Sequence, residues 1–140
     1  MFKRIMVPVD MATADTLTHA VDVAADLAKH YGATLGLISV SGGLQGRVSH
    51  SHERYGEKLA DFAAEMGARN DIEIGSRNIS VPDPSVEVDQ VLLEQIEAQE
   101  VDLVVIASHQ PNWTDIFVNS HGGRLARRAP VSVFVVRAGG

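Results

Sequence analysis

The chain contains no cysteine and few aromatic residues. The absence of cysteine excludes disulfide bonds and thiolate chemistry. Aromatic residues make up 5% of the 140 residues, with one tryptophan, which argues against a stacking surface for single-stranded nucleic acid. Acidic residues outnumber basic ones, and the net charge of -6 disfavours DNA or RNA as a partner, because such binding is driven largely by cations.

The sequence also lacks a long apolar run. The first segment, MFKRIMVPVD, is too short in its apolar part for a signal sequence or a membrane span. We therefore expect no membrane span and a cytoplasmic location. Apolar residues nevertheless make up 45% of the chain, which is enough to bury the core of one domain over residues 1–140.

Recognisable catalytic motifs are missing as well. The sequence has neither a G-x-S-x-G nucleophile elbow nor a Walker phosphate loop. Ser108 and His109 are neighbours at a predicted strand end, where successive side chains point apart, so they do not form a nucleophile–base pair. We therefore predict no catalytic residues.

Apolar runs alternate with segments of helical periodicity along the chain. This alternation predicts an α/β fold with an open, parallel, five-stranded sheet covered by helices on both faces. The most apolar run, VDLVVIAS, indicates an interior strand, and residues 72–81 alternate as a strand near an edge does. Gly32 and Gly67 are predicted to end the first two helices. The predicted strands are 3–10, 34–40, 72–81, 101–108 and 130–137, and the predicted helices are 13–31, 49–70, 84–97 and 120–129.

Ligands of such sheets bind outside the carboxyl ends of the strands, where the strand order switches. Three predicted loops would meet at that edge although they are far apart in sequence. They are Val9-Asp10-Met11, Val40-Ser41-Gly42 and the segment ASHQPNWTDIFVNSH, residues 107–121.

Three segments carry a resemblance that covers essentially the whole chain. KRIMVPVD at the start, VDLVVIASHQ in the second half and RLARRAPVSVFVVR near the end are similar to the universal stress protein family. The resemblance implies the Rossmann-like fold of the adenine nucleotide alpha hydrolases, with strand order 3-2-1-4-5. It also implies a stress-related regulatory or signalling role and a nucleotide site for ATP, ADP or AMP.

In this family the strand before the nucleotide loop typically ends in Gly-Ser-His-Gly, and Gly-Ser opens the last helix about ten residues later. The equivalent positions here are Ala107-Ser108-His109-Gln110 and Asn119-Ser120. The intervening loop is one residue shorter than usual, which resembles a short-loop subset of the family. The resemblance places nucleotide contacts at Pro8, Val9, Asp10, Val40, Ala107, Ser108, His109, Gln110, Asn119, Ser120, His121 and Gly122.

Asp10 follows the first predicted strand. The resemblance implies that this carboxylate contacts the ribose or a Mg²⁺ ion held by the phosphates, and Mg²⁺ prefers oxygen ligands. Asp10 could instead cap the following helix. It would also repel the phosphate of FMN, which disfavours a flavin as the ligand. Pro8 and Val9 are expected to offer apolar surface and a carbonyl, and Val40 its backbone N–H and C=O to the adenine.

The phosphate site is where this chain departs from the family pattern. Glycine lets the backbone approach a phosphate closely, and here Ala107, Gln110 and Asn119 replace the signature glycines. The amides of residues 120–122 would still point out of a helix start, where the helix dipole favours an anion. Three interpretations therefore stay open. The first is a nucleotide-binding regulatory module, the second is a dimeric interaction protein with a degenerate loop, and the third is an enzyme that hydrolyses ATP slowly.

Histidines and the tryptophan admit further interpretations. His50, His52, His109 and His121 could suggest zinc, but without cysteine or a matching carboxylate we favour solvated polar residues. Trp113 could stack on a base, or pack within its loop or against a second subunit.

The last predicted strand is long and apolar. If it forms a sheet edge, it is a template for pairing with another chain. We predict a homodimer through residues 131–136 by two-fold pairing of this strand, as the resemblance also implies. An unidentified protein partner could in addition use the glycine-rich segment 41–49.

Overall fold

The computed structural model describes residues 1–10, 17–41, 48–80, 84–108 and 131–137. Five strands and three helices lie in these ranges and alternate as predicted from β1 to β4. The predicted helix at 120–129 lies outside the described residues. The elements are β1 (Arg4–Pro8), α1 (Thr18–Tyr31), β2 (Thr34–Ser41), α2 (Val48–Asn70), β3 (Ile74–Ser80), α3 (Pro84–Ala98), β4 (Leu103–Ala107) and β5 (Ser132–Val136).

The strands form one parallel sheet in the order β3-β2-β1-β4-β5. This is the predicted order, and it places the switch in strand order between β1 and β4, because the chain runs outwards from β1 to β3 and then returns to add β4 on the other side of β1. β4 is buried along its full length, as expected for the interior position that its apolar sequence indicates.

Both faces of the sheet carry buried side chains, because alternate residues of a strand point to opposite faces. Ile5 and Val7 of β1 pack with buried alanines of α1 and with Leu59 of α2. Met6, one position away, packs on the opposite face with Leu92 and other residues of α3. The predicted covering of the sheet by helices on both faces is therefore confirmed.

The ends of the first two helices differ in kind. Gly32 follows α1 with φ of 64° and donates its amide to the Ala28 carbonyl, as predicted for a left-handed cap. The predicted end of α2 at residue 70 is confirmed, and the alternative that Gly67 closes this helix is wrong, since α2 continues to Asn70 and Asp71 takes the left-handed conformation with φ of 54°. Gly67 instead permits close packing, because a Cβ there would lie 2.7 Å from the Ile72 carbonyl oxygen.

Asp102 holds the amino ends of three strands together. Its carboxylate accepts hydrogen bonds from the backbone amides of Lys3 and Arg4, at 2.9 and 3.1 Å. Its own amide donates to the Arg4 carbonyl, and its carbonyl accepts the amide of Ser132. β4 therefore begins at Leu103, two residues later than predicted, after a residue whose polar groups join β1 to β5.

β3 and β5 form the edges of the sheet, as predicted. On β5, the side chains of Phe134 and Val135 are 43% and 38% exposed. An apolar edge strand with unpaired backbone groups is a surface to which another strand can add.

Candidate functional site

The pairing between β1 and β4 stops before their carboxyl ends, and we call the place beyond it the gap. The β1–β4 ladder comprises two residue pairs, Ile5 with Leu103 and Met6 with Val104. Beyond Met6, β1 continues to pair with β2 as far as Pro8, whereas β4 pairs with β5 along its whole length. The two central strands are thus not paired with each other at the carboxyl side of the switch in strand order, which is the position at which open α/β sheets bind ligands.

The last residues of β1 are fixed by hydrogen bonding and burial. The amide of Val9 donates to the Ile38 carbonyl at 2.7 Å, which extends the β1–β2 pairing by one residue. The Val9 side chain is 1% exposed and packs in the core under α1, and Pro8 is also buried. The apolar surface expected from these two residues is therefore used by the core, and the Val9 carbonyl remains for a ligand.

Asp10 and Ser108 follow the ends of β1 and β4, on the two sides of the gap. Asp10 is exposed and Ser108 is half-buried. The amide of Ser108 donates to the Val136 carbonyl at 2.8 Å, so this amide is used within the sheet. A carboxylate and a hydroxyl thus lie at the carboxyl edge where the sequence predicts a nucleotide site.

Ala107 is the last residue of β4 and replaces a glycine of the family pattern. Its methyl group is 2% exposed and lies in the core on the α1 face. In the described part of the chain, the non-glycine residues with positive φ are Asp71 and Glu100, so Ala107 has ordinary extended geometry. This substitution is accommodated by the core.

β2 extends past the end of β1. Pro8 pairs with Ile38, and the three residues of β2 that follow pair only with β3, through Val40 opposite Ile79 and Ser41 opposite Ser80. Val40 is half-buried at this overhang. The overhang brings the end of β2 beside the residues that follow β1, as the predicted site requires.

The overhang also contains a buried polar pair that the sequence did not suggest. Ser39 is 4% exposed, and its hydroxyl donates to Oδ1 of Asn78 on β3 at 2.6 Å. A serine inside the apolar run TLGLISV was the available signal, since a buried hydroxyl requires a partner.

Half of the predicted site lies outside the described residues. Its contacts to phosphate therefore stay predictions, as does the interpretation of Trp113. The site residues concerned are His109, Gln110, Asn119, Ser120, His121 and Gly122.

The described ranges hold neither a cluster of metal ligands nor a helix able to span a membrane. There, no group of three or more His, Asp or Glu side chains is placed to hold a metal ion. Among the helices that the structure describes, none combines the length and apolar character needed to cross a bilayer.

The strand order and the helices on both faces place the chain in the class of open, parallel α/β proteins. A family model described as the universal stress protein family matches residues 1–137. The chain therefore belongs to the universal stress protein family, as its sequence segments indicated. A comparison with curated proteins finds no match.

Solved structures of low sequence identity share the fold. A universal stress protein in complex with cAMP is 17% identical, with a TM-score of 0.65 and 98% of each chain covered. The universal stress protein from Archaeoglobus fulgidus in complex with dAMP is 16% identical, with a TM-score of 0.67 and 96% of this chain and 97% of that chain covered. A family protein from Burkholderia pseudomallei is 22% identical, with a TM-score of 0.67 and 96% of each chain covered.

Proposed function

We propose that this protein is a regulatory module that binds an adenine nucleotide in the gap between β1 and β4. The observation that carries the proposal is that the pairing of these two strands ends after two residue pairs, at the switch in strand order. The adenine nucleotides named for two structurally similar proteins, cAMP and dAMP, support this ligand class.

The polar groups beside the gap suit different parts of a nucleotide. The exposed carboxylate of Asp10 can accept hydrogen bonds from ribose hydroxyls, or provide an oxygen ligand to a Mg²⁺ ion that also binds the phosphates. The Ser108 hydroxyl can donate to a phosphate oxygen from the opposite side. The Val9 carbonyl and the backbone of Val40 are the groups we assign to the base.

The phosphate-binding part of the proposal rests on the sequence. The amides of residues 120–122 are predicted to begin the last helix, where exposed N–H groups attract an anion without requiring glycine. Ala107 removes one objection, because its methyl group is packed in the core. We infer that ATP, ADP or AMP is bound, with Mg²⁺ accompanying the di- and triphosphate.

The first experiment is to denature the purified protein and separate the released small molecules by nucleotide chromatography. Calorimetric titration with Mg-ATP, AMP and cAMP then measures the affinity and identifies the preferred phosphate chain. Released or saturably bound adenine nucleotide is the expected result. Neither release nor binding at millimolar nucleotide would contradict the proposal.

A second candidate function is a protein-interaction module that works without nucleotide. The exposed Phe134 and Val135 on the edge strand β5 favour it. We propose that residues 131–136 pair with the same strand of a second copy across a two-fold axis. The dimer is compatible with either function, so the nucleotide experiment decides between them. A cytoplasmic location and a role in stress response belong to the same proposal.

A further inference from the structure

A second cavity lies away from the nucleotide gap, near the amino ends of β1, β2 and β3. Its volume is about 590 Å³, within the range typical of small-molecule sites. Gly36 of β2 and Gly75 of β3 line it and pair directly across the sheet. Because Leu35 and Leu37 pack on the α1 face, Gly36 between them faces α3, and we call this space the α3-face groove.

The two glycines leave the floor of the groove without side chains. A Cβ built on Gly36 would meet no atom within 4 Å, and one on Gly75 would meet the Leu35 carbonyl oxygen at 3.9 Å. Neither glycine has positive φ, so the backbone conformation does not require them. Glycine within a strand lowers stability by roughly 0.5–1 kcal/mol relative to alanine and often marks the close approach of a ligand.

Two arginines stand on either side of this floor. Arg4 of β1 donates from Nη1 to the Gln99 carbonyl at 2.9 Å, and Arg77 of β3 donates from Nη1 to Oε1 of Gln95 at 3.1 Å. The two glutamines are joined by a 2.6 Å hydrogen bond from Gln99 Nε2 to Gln95 Oε1. A continuous hydrogen-bonded chain therefore runs from β3 over α3 to β1 and holds both guanidinium groups at the groove.

Neither groove arginine forms a salt bridge with an acid of the described ranges. In the described part of the chain, the recorded salt bridge joins Arg69 and Asp22 and involves neither groove arginine. A guanidinium has five N–H donors, and each groove arginine uses one of them in the bonds just described. The others are available to carboxylate or phosphate oxygens, which arginine binds in bidentate geometry.

The presence of two arginines favours a molecule with two acidic groups. The residues that hold them are Gln95 of α3 and Gln99, which directly follows α3 and donates its amide to the Gln95 carbonyl, so the two are one helical turn apart, a rise of about 6 Å. We infer that the α3-face groove binds a small organic dianion, with one phosphate or carboxylate group at Arg4 and the other at Arg77. The chain as a whole is acidic, so two arginines without a salt bridge among the described residues, beside a floor without side chains, are a localised site for an anion.

Glu73 also lines the groove, and its negative charge limits the affinity of the groove for an anion. It precedes β3 and alternates with Gly75 and Arg77, so it belongs to the same face of the sheet. Its carboxylate repels an anion in the groove, and its removal should therefore tighten binding.

The test is a titration of the ¹⁵N-labelled full chain with pyrophosphate and with citrate, followed by NMR at constant ionic strength. We expect saturable shifts of the Gly36 and Gly75 amides with at least one of the two anions. Shifts at Val9 and Ser108 report the nucleotide gap instead, so the readout separates the two sites. Absence of saturable shifts at Gly36 and Gly75, with shifts elsewhere or nowhere, would overturn the inference.

Matched variants test the assigned groups. Arg4→Gln and Arg77→Gln should each weaken binding roughly tenfold, because each removes one charge-assisted contact. Arg69→Gln, on the α1–α2 side, should leave the affinity unchanged, and Glu73→Gln should raise it. Equal affinities for the Arg4, Arg77 and Arg69 variants would show that the anion binds elsewhere.

A charge-preserving variant tests the groove itself. Gly36→Val adds a side chain to the floor and leaves both arginines in the sequence, and a Cβ at Gly36 meets no atom within 4 Å. We expect a folded protein, by its NMR spectrum, that no longer binds either anion. Gly36→Ala serves if the valine variant does not fold. Wild-type affinity in a folded floor-filling variant would contradict the assignment.

Discussion

The hydroxyl of Ser39 donates a 2.6 Å hydrogen bond to Oδ1 of Asn78 and joins β2 to β3 near the candidate site. α2 crosses directly over this pair, because a Cβ on Gly56 would lie 3.9 Å from the Asn78 Cβ. The hydroxyl is buried, so its hydrogen bond compensates for the water it has lost.

Replacing Ser39 with alanine should lower the free energy of unfolding by about 1 kcal/mol, since Asn78 then loses a buried partner. Urea denaturation measures the change. Ser76→Ala is the matched control, because Ser76 is exposed on β3, and its effect should stay within about 0.5 kcal/mol. Equal effects of the two substitutions would contradict the importance of the buried pair.

Two glycines of α2 should respond in opposite ways to alanine. Gly67→Ala should destabilise the protein by about 1–3 kcal/mol, because the added Cβ would lie 2.7 Å from the Ile72 carbonyl oxygen. Gly56→Ala should stabilise it by about 0.5–1 kcal/mol, because alanine favours the helix and the contact with Asn78 is of ordinary length.

Thermal or urea denaturation of both glycine variants checks this prediction within a single helix. A Gly67→Ala protein at least as stable as the wild type would show that α2 shifts freely away from the turn that follows it.

Asp10→Ala should abolish or strongly weaken nucleotide binding if the gap between β1 and β4 is the site. The exposed carboxylate at the end of β1 is the group we assign to the ribose or to Mg²⁺. Calorimetry with Mg-ATP measures the loss. Asp26→Ala, an exposed acid on α1, is the control and should bind as the wild type does.

Unchanged affinity in the Asp10 variant would show that nucleotide binds elsewhere. A comparison of AMP with Mg-ATP adds information, because a ribose contact affects both ligands and a metal contact mainly the second.

Phe134→Lys should convert the proposed dimer to a monomer. A lysine on an edge strand disfavours addition of another strand, because its charge would be buried in the interface. Light scattering should give twice the chain mass of 15.0 kDa for the wild type and the single mass for the variant. Ala60→Lys, exposed on α2, is the charge-matched control and should remain dimeric.

A wild-type protein that is monomeric at micromolar concentration would refute pairing through β5. A variant that stays dimeric would place the interface on another surface.

The sheet could be predicted because its signals are local and agree with one another. Apolar runs such as VDLVVIAS alternate with helical periodicity, and right-handed parallel connections allow few arrangements of such elements. The position of Gly67 was misjudged because glycine both ends helices and permits close packing. The sequence does not distinguish these roles, since the distance to Ile72 depends on how the chain turns after α2.

The candidate site was only partly accessible to sequence reasoning. Residues that follow strands, such as Asp10 and Ser108, are located once the strand order is known. The sequence does not indicate which of their groups are used within the protein. The burial of Val9 and the hydrogen bond from the Ser108 amide to the Val136 carbonyl are seen only in the structure. The Arg4–Gln99–Gln95–Arg77 chain joins three elements far apart in sequence, so no local pattern indicates it.

Because the β1–β4 ladder is short, the sheet consists of two parts, one with the three strands β3, β2 and β1 and a smaller one with β4 and β5. We call the boundary between them, at the β1–β4 ladder, the seam, and each part a leaf. The seam has the fewest interstrand residue pairs to resist separation of its neighbours. The smaller leaf carries Ser108 at one end and the uncovered edge of Phe134 along its side. A nucleotide bound between β1 and β4 would therefore contact the same pair of strands, β4 and β5, whose outer edge is proposed to form the dimer. Nucleotide binding and dimerisation would then act on one structural unit.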